Sequence, residues 1–167
     1  MRETPEELRR LQEVLDRSAA AAGPHMRSII TPERRLSAAE LSERLQGLCL
    51  LAVATVTADG RPLVGPVDGY FLHGSFCFSS GRNSVRMHHL AARPAVSATY
   101  LPGEDLAVTV HGRAEVFGMD DERSGDLRRA MLDHYLPRQG PAFERWLESS
   151  DALGARIEAE KLFTFRI

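Results

Sequence analysis

Residues 76–94 read FCFSSGRNSVRMHHLAARP, and the fold turns on how that stretch divides. Phe76 and Phe78 fall on one face of a short strand, small polar residues break it, and a helix follows that Pro94 stops. A helix start leaves backbone N–H groups unpaired and carries the positive end of the peptide dipole. Around this one gather Ser79, Ser80, Gly81, Arg82, Asn83, Ser84 and Arg86. Serine or asparagine before a helix is ordinary capping. Arginine early in a helix, however, opposes the dipole unless an anion is near. Two of them, at 82 and 86, make the junction a candidate seat for a phosphate or carboxylate.

Working outward, residues 48–57 are rich in apolar and β-branched side chains, and Asp59-Gly60 is a hairpin turn signal with 61–70 as the antiparallel partner. Phe71 and Leu72 lead to a second tight turn at His73-Gly74. Beyond Pro94, residues 95–101 resume as strand and Pro102-Gly103 turns the chain. Residues 106–117 then alternate, with Leu106, Val108, Val110, Ala114 and Val116 on one face and Thr109, His111, Arg113 and Glu115 on the other. Gly112 in their midst predicts a bulge or a close backbone approach.

Asp120 is expected to cap a helix that carries Leu127, Ala130, Met131 and Tyr135 inward and ends at Pro137. Pro141 opens a shorter helix, in which Phe143 and Trp146 are either hairpin core or pocket wall, and 157–167 is a closing strand. At the other end, Thr4 and Glu7 form a capping box ahead of the stripe Leu8, Leu11, Val14 and Leu15, with a stop at Gly23-Pro24. Arg34-Arg35 reads as a solvated loop. Ser37 and Glu40 repeat the box and open a helix with Leu41 and Leu45 inward. Residues 1–36 are thus a helical extension and 37–167 one domain. Tight turns join most of the strands and long crossover helices are missing, which excludes a doubly wound parallel sheet; no G-x-G-x-x-G occurs. The expectation is a mainly β fold with peripheral helices, closed into a small antiparallel barrel.

A hydrophobic share of 43%, a charged share of 26% and a net charge of −2 over 167 residues describe an ordinary globular chain and argue against a nucleic-acid binder. No stretch has the length of a membrane span or a signal peptide's apolar core. Cys49 and Cys77 lie in apolar strand-like runs and read as small buried residues of a cytoplasmic protein. His88 and His89 point roughly 100° apart on a helix, and nothing supplies the further ligands a metal needs. Ser79 and Ser80 lack a nucleophile elbow, which argues against hydrolase chemistry.

Several features recur together: the Asp59-Gly60 turn, Pro62-x-Val64-x-Pro66-Val67, Ser79-Ser80, a basic residue two after Ser84, then Leu90, Pro94 and Gly112-Arg113-Ala114. In this order and spacing, residues 48–118 resemble the flavin-binding split-barrel family, which includes pyridoxamine 5′-phosphate oxidases and flavin/deazaflavin-dependent oxidoreductases. The resemblance implies an antiparallel split β-barrel of the FMN-binding type and a homodimer with the cofactor site at its interface. It places Val64, Gly65, Pro66, Val67 and Asp68 along the isoalloxazine ring. Ser79, Ser80, Arg82, Ser84 and Arg86 fall at the phosphate, with His89 at its margin. Arg86 stands where the family often has lysine, Asp68 where an aromatic residue is common and His89 where asparagine is common. The implied activity is an oxidoreductase using FMN, or 8-hydroxy-5-deazaflavin, on a small molecule, with no side chain marked as acid or base. The alternative is a flavin, haem or small-ligand binder without turnover. A pyridoxamine-phosphate oxidase proper fits less well, since 163–167 offers only Arg166 to a substrate phosphate.

Overall fold

The period-two pattern of the central stretch is realised as a barrel in the computed structural model, which describes residues 3–167. Strands β1 (Leu48–Val56), β2 (Pro62–Leu72) and β3 (Ser75–Gly81) form successive hairpins. β4 (Ala95–Tyr100) and β5 (Leu106–Gly118) form another, and β6 (Ala152–Arg166) returns between β3 and β5. All pairings are antiparallel, and β1 against β4 completes the closure in the order β1-β2-β3-β6-β5-β4. Full closure leaves the sheet without an open edge.

The turns behave as their residues dictate. His73 and Gly74 both take positive φ, 53° and 76°, as a two-residue type I′ hairpin demands. At Gly112 the ladder slips: His111 faces Lys161 while Gly112 faces Ala159, so Glu160 is looped out. A Cβ on Gly112 would run into the Glu158 carbonyl oxygen, so this bulge admits glycine alone without backbone movement. Inside the barrel, Leu51, Val53, Phe78, Val110 and Ile157 pack together, and Phe71 meets Phe76 edge-on at 5.2 Å.

Helix α1 (Pro5–Ala21) carries the expected capping box at Thr4 and Glu7, and it sinks Leu11 and Leu15 into the same core as the barrel. α2 (Pro24–Ile29) follows where only a stop was expected, because proline at a first helical position starts a helix as readily as it ends the preceding one. α3 (Ala38–Arg44) has the Ser37–Glu40 box and buries Leu41 at its centre, with Leu45 just beyond its end. α4 (Val85–Ala92) is the helix of the decisive stretch.

Between β5 and β6 the chain inserts a helical hairpin, α5 (Gly125–Gln139) and α6 (Pro141–Ser149). Leu127, Met131, Phe143 and Leu147 press it onto Tyr70, Cys77 and Phe117 on the outside of the barrel. Three expectations change here. Asp121, rather than Asp120, makes the cap, accepting the Arg123 N–H in a 3₁₀ turn (Glu122–Ser124) ahead of α5. Pro137 does not end α5, since a proline in the last turn forfeits only one N–H; Gly140, at φ 63°, ends it. β6 begins at Ala152 rather than near Ile157. Residues 152–156 have no β-branched side chain, and their pairing to both β3 and β5 overrides that weak local preference.

His73 ties three elements together. Its Nδ1 lies 2.9 Å from Glu7 of α1 and its Nε2 2.8 Å from Asp126 of α5. Burial of the ring works to lower its pKa, but the Asp126 hydrogen bond and the Glu7 charge outweigh it, and the net shift is upward. A raised folded-state value means the bridge stabilises fully below the unfolded pKa of about 6.5 and is lost as pH rises through the folded value. The melting-temperature gap between the parent and His73→Asn, which tolerates positive φ, should therefore narrow between pH 6 and 9. A gap independent of pH would show that the histidine charge contributes nothing.

Candidate functional site

Ser84 is the N-cap of α4: its hydroxyl accepts the Met87 N–H at 3.3 Å and, at 3.1 Å, a hydrogen bond from Ser80. Two turns of chain are thereby fixed by two serines, and the unpaired N–H groups at the helix start sit beside them. Arg86 projects from this turn across β2, where Gly65 leaves space: a Cβ there would lie 2.9 Å from Arg86 Nη2. The guanidinium donates to the Pro66 carbonyl at 3.2 Å. It is half-buried, burial lowers its pKa, and no carboxylate among the described residues pairs with it. A desolvated cation without a counter-charge is costly unless an anion arrives.

Arg86 faces a cleft of about 710 Å³ between β2–β3 and the α5–α6 hairpin, within the size range of small-molecule sites. The barrel contributes Pro66, Val67, Asp68, Ser79 and Ser80; the hairpin contributes Met131, Tyr135, Phe143 and Trp146. Of the residues expected from sequence, the cleft thus gathers six, with Ser84 held behind Ser80. Gly65 is partly buried under Arg86, and Val64 lies further along β2, 69% exposed on the outer face of the barrel. Arg82 points elsewhere, its Nε 2.6 Å from Asp151, whose carbonyl also accepts the Arg82 N–H. His89 hydrogen-bonds Thr55 of β1 at 2.9 Å and does not line the cleft.

Sequence reading missed Tyr70, Gln139, Ser150 and Asp151 as cleft residues and assigned Tyr135 only to packing. Tyr135 in fact donates its hydroxyl to Asp68 Oδ2. It stacks on Phe143 at 4.5 Å, and Phe143 in turn lies 5.4 Å from Trp146, which is 54% exposed and forms pocket wall rather than hairpin core. The clustering of three aromatic residues toward one end of the two helices was the available signal. Tyr70, 2% exposed, borders the cleft with a hydroxyl that has no hydrogen-bond partner among the described residues.

Other candidates carry less. Cys49 and Cys77 are free, and burial pushes their thiols up to about 12 and about 11, so neither is a nucleophile at neutral pH. His111 bonds Ser97 and Glu115 pairs with Arg123, which accounts for part of the polar face of β5. No group of three His, Cys, Asp or Glu side chains among the described residues is placed to hold a metal ion. No helix among them is long and apolar enough to cross a membrane.

On the outer face of β1 and β2, the cross-strand pairs Leu50–Asp68, Ala52–Pro66 and Ala54–Val64 make a row adjoining the cleft. Leu50 there is 61% exposed. An apolar row of this kind, rimmed by the site itself, is typical of an interface.

The sequence model of the pyridoxamine 5′-phosphate oxidase family matches residues 37–163. No curated protein matches the chain. Among solved structures, a conserved hypothetical protein from Mycobacterium tuberculosis superposes with TM-score 0.65 at 18% identity, covering 81% of this chain and 88% of that one. A haem storage protein from Vibrio cholerae gives TM-score 0.62 at 21% identity over 76% and 93% of the two chains. A protein described as an F420 reductase gives 0.53 at 17% identity over 72% and 94%. At such identities these likenesses speak for the shared split-barrel fold.

Proposed function

We propose that this chain, which belongs to the pyridoxamine 5′-phosphate oxidase family, is a cytoplasmic, homodimeric oxidoreductase that uses FMN, or a deazaflavin with the same ring-and-phosphate layout, on a small molecule. The observation that carries the reading is Arg86, a half-buried guanidinium without a carboxylate, beside the Ser80–Ser84 pair and the start of α4. Together they offer a phosphate charge-assisted hydrogen bonds and a favourable dipole. From that anion seat β2 carries residues 64–68 past the ring, with Val64, Pro66 and Asp68 on the exposed outer face, where a second copy would close over it. The 1–36 segment would be a helical extension of the 37–167 domain, with Leu11 and Leu15 of α1 packed into the barrel core. Arg82 would join the phosphate only by leaving Asp151, and His89 only by leaving Thr55.

When bound, the cofactor supplies the hydride chemistry. The chain's own part is to bind and orient it: Arg86 and the helix start fix the phosphate end, β2 positions the ring edge, and the hairpin limits water on the cleft side. The second reading is a haem or flavin binder without turnover, favoured by the haem-protein likeness. The cleft itself offers a haem iron neither histidine nor cysteine among its described residues.

Titration with FMN, the deazaflavin and haemin decides among them. Micromolar or tighter binding of one of the first two, with reoxidation by an added acceptor faster than that of free cofactor, supports the enzyme. A Soret band with no flavin uptake supports the haem binder. For the dimer, Leu50→Glu places a charge beside Asp68 on the apolar row. It should convert the parent dimer to monomer in light-scattering chromatography and lose cofactor with it. A monomeric parent that binds cofactor would contradict the shared site.

A further inference from the structure

The hairpin side of the cleft has a chemistry that the anion seat does not use. Asp68 presents a carboxylate that accepts the Tyr135 hydroxyl at Oδ2, with no hydrogen bond to Oδ1 among the described residues. On the opposite wall, the aromatic series Tyr135, Phe143 and Trp146 ends in an indole that is more than half exposed. Tyr70 adds a buried hydroxyl at the cleft's margin that has no partner among the described residues. A tryptophan face is the best aromatic surface for a cation, and a carboxylate on the opposite wall of the cleft adds an opposite charge. Asp151, on the same cleft, is already paired with Arg82 at 2.6 Å. Among the described residues, the cations near this region are Arg86, which the phosphate would neutralise, Arg82, which Asp151 pairs, and Arg138, whose guanidinium is held by the His134 carbonyl at 2.5 Å.

We propose that this half of the cleft is a substrate subsite for a flat aromatic cation, its ring laid against Trp146 and its charge turned to Asp68. The proposal rests on the cofactor reading, because it leaves the Arg86 end of the cleft to the cofactor phosphate. It also gives Asp68 a purpose: a carboxylate there selects the charge of the molecule that meets the ring.

Three probes of one ring size separate charge from shape: 1-methylnicotinamide (a cation), nicotinamide (neutral) and nicotinate (an anion). Calorimetric titration of the dimer, with and without FMN, should show the cation binding about tenfold or more tighter than the amide, and nicotinate weakest. Asp68→Asn should abolish the preference between cation and amide. Trp146→Ala should weaken the cation more than the amide. The chain has one tryptophan, so quenching of its emission in flavin-free protein reports occupancy directly. Equal binding of all three probes, preference for the anion, or no binding, in protein that takes up FMN, overturns the subsite and leaves the cofactor reading standing. Charge-ordered binding in protein that takes up neither FMN nor deazaflavin overturns the cofactor reading and supports the subsite.

Discussion

Arg86→Ala is expected to weaken FMN binding roughly 10- to 150-fold, the equivalent of about 1.5–3 kcal/mol for one charge-assisted partner of the phosphate. The same substitution should leave folding nearly untouched. In the free protein Arg86 makes one hydrogen bond among the described residues, to the Pro66 carbonyl, and bears a desolvation cost that alanine removes. Thermal melts of the cofactor-free protein check that point, and fluorescence titration with FMN measures the affinity. Arg82→Ala should act more weakly, because its guanidinium is already paired with Asp151. Undiminished affinity in both variants would remove the phosphate from this junction.

Gly112→Ala should be the most damaging single methyl group in the barrel. The added carbon has nowhere to go: the opposing atoms are the backbone of Glu158 and Glu160 rather than a side chain that could rotate aside. Overpacking against immovable neighbours costs about 3 kcal/mol or more, a large part of a total stability of about 5–15 kcal/mol. The melting temperature should fall by roughly 6–12 °C. Gly103→Ala, where nothing lies within 4 Å of the added carbon, is the control and should change little. A Gly112→Ala protein that melts with its parent would mean that the bulge relaxes freely.

What could be read from the chain was what neighbours in sequence decide. The strand–serine–helix junction, the turns at Asp59-Gly60 and His73-Gly74, the capping boxes and the glycine bulge all depend on residues within a few positions of one another, and all stand in the structure. The partners of the site residues could not be read this way. Arg82 meets Asp151 from 69 residues away, and Tyr135 meets Asp68 from 67. Both contacts exist because β6 returns between β3 and β5 and carries the helical hairpin back over β2. The start of β6 escaped for a related reason: Ala-Leu-Gly-Ala-Arg has no strand preference of its own and is a strand only because partners flank it on both sides. Trp146 was ambiguous because an amphipathic stripe shows which face packs and not whether its last member reaches the edge of a cleft.

The most direct test compares FMN with riboflavin, which is the same ring without the phosphate, on the parent and on Arg86→Ala. If the start of α4 and Arg86 seat the phosphate, the parent binds FMN at least ~10-fold, and up to ~150-fold, more tightly than riboflavin, and the substitution closes most of that gap by weakening FMN alone. Equal affinities for the two flavins in the parent, or a gap that Arg86→Ala leaves intact, would contradict it.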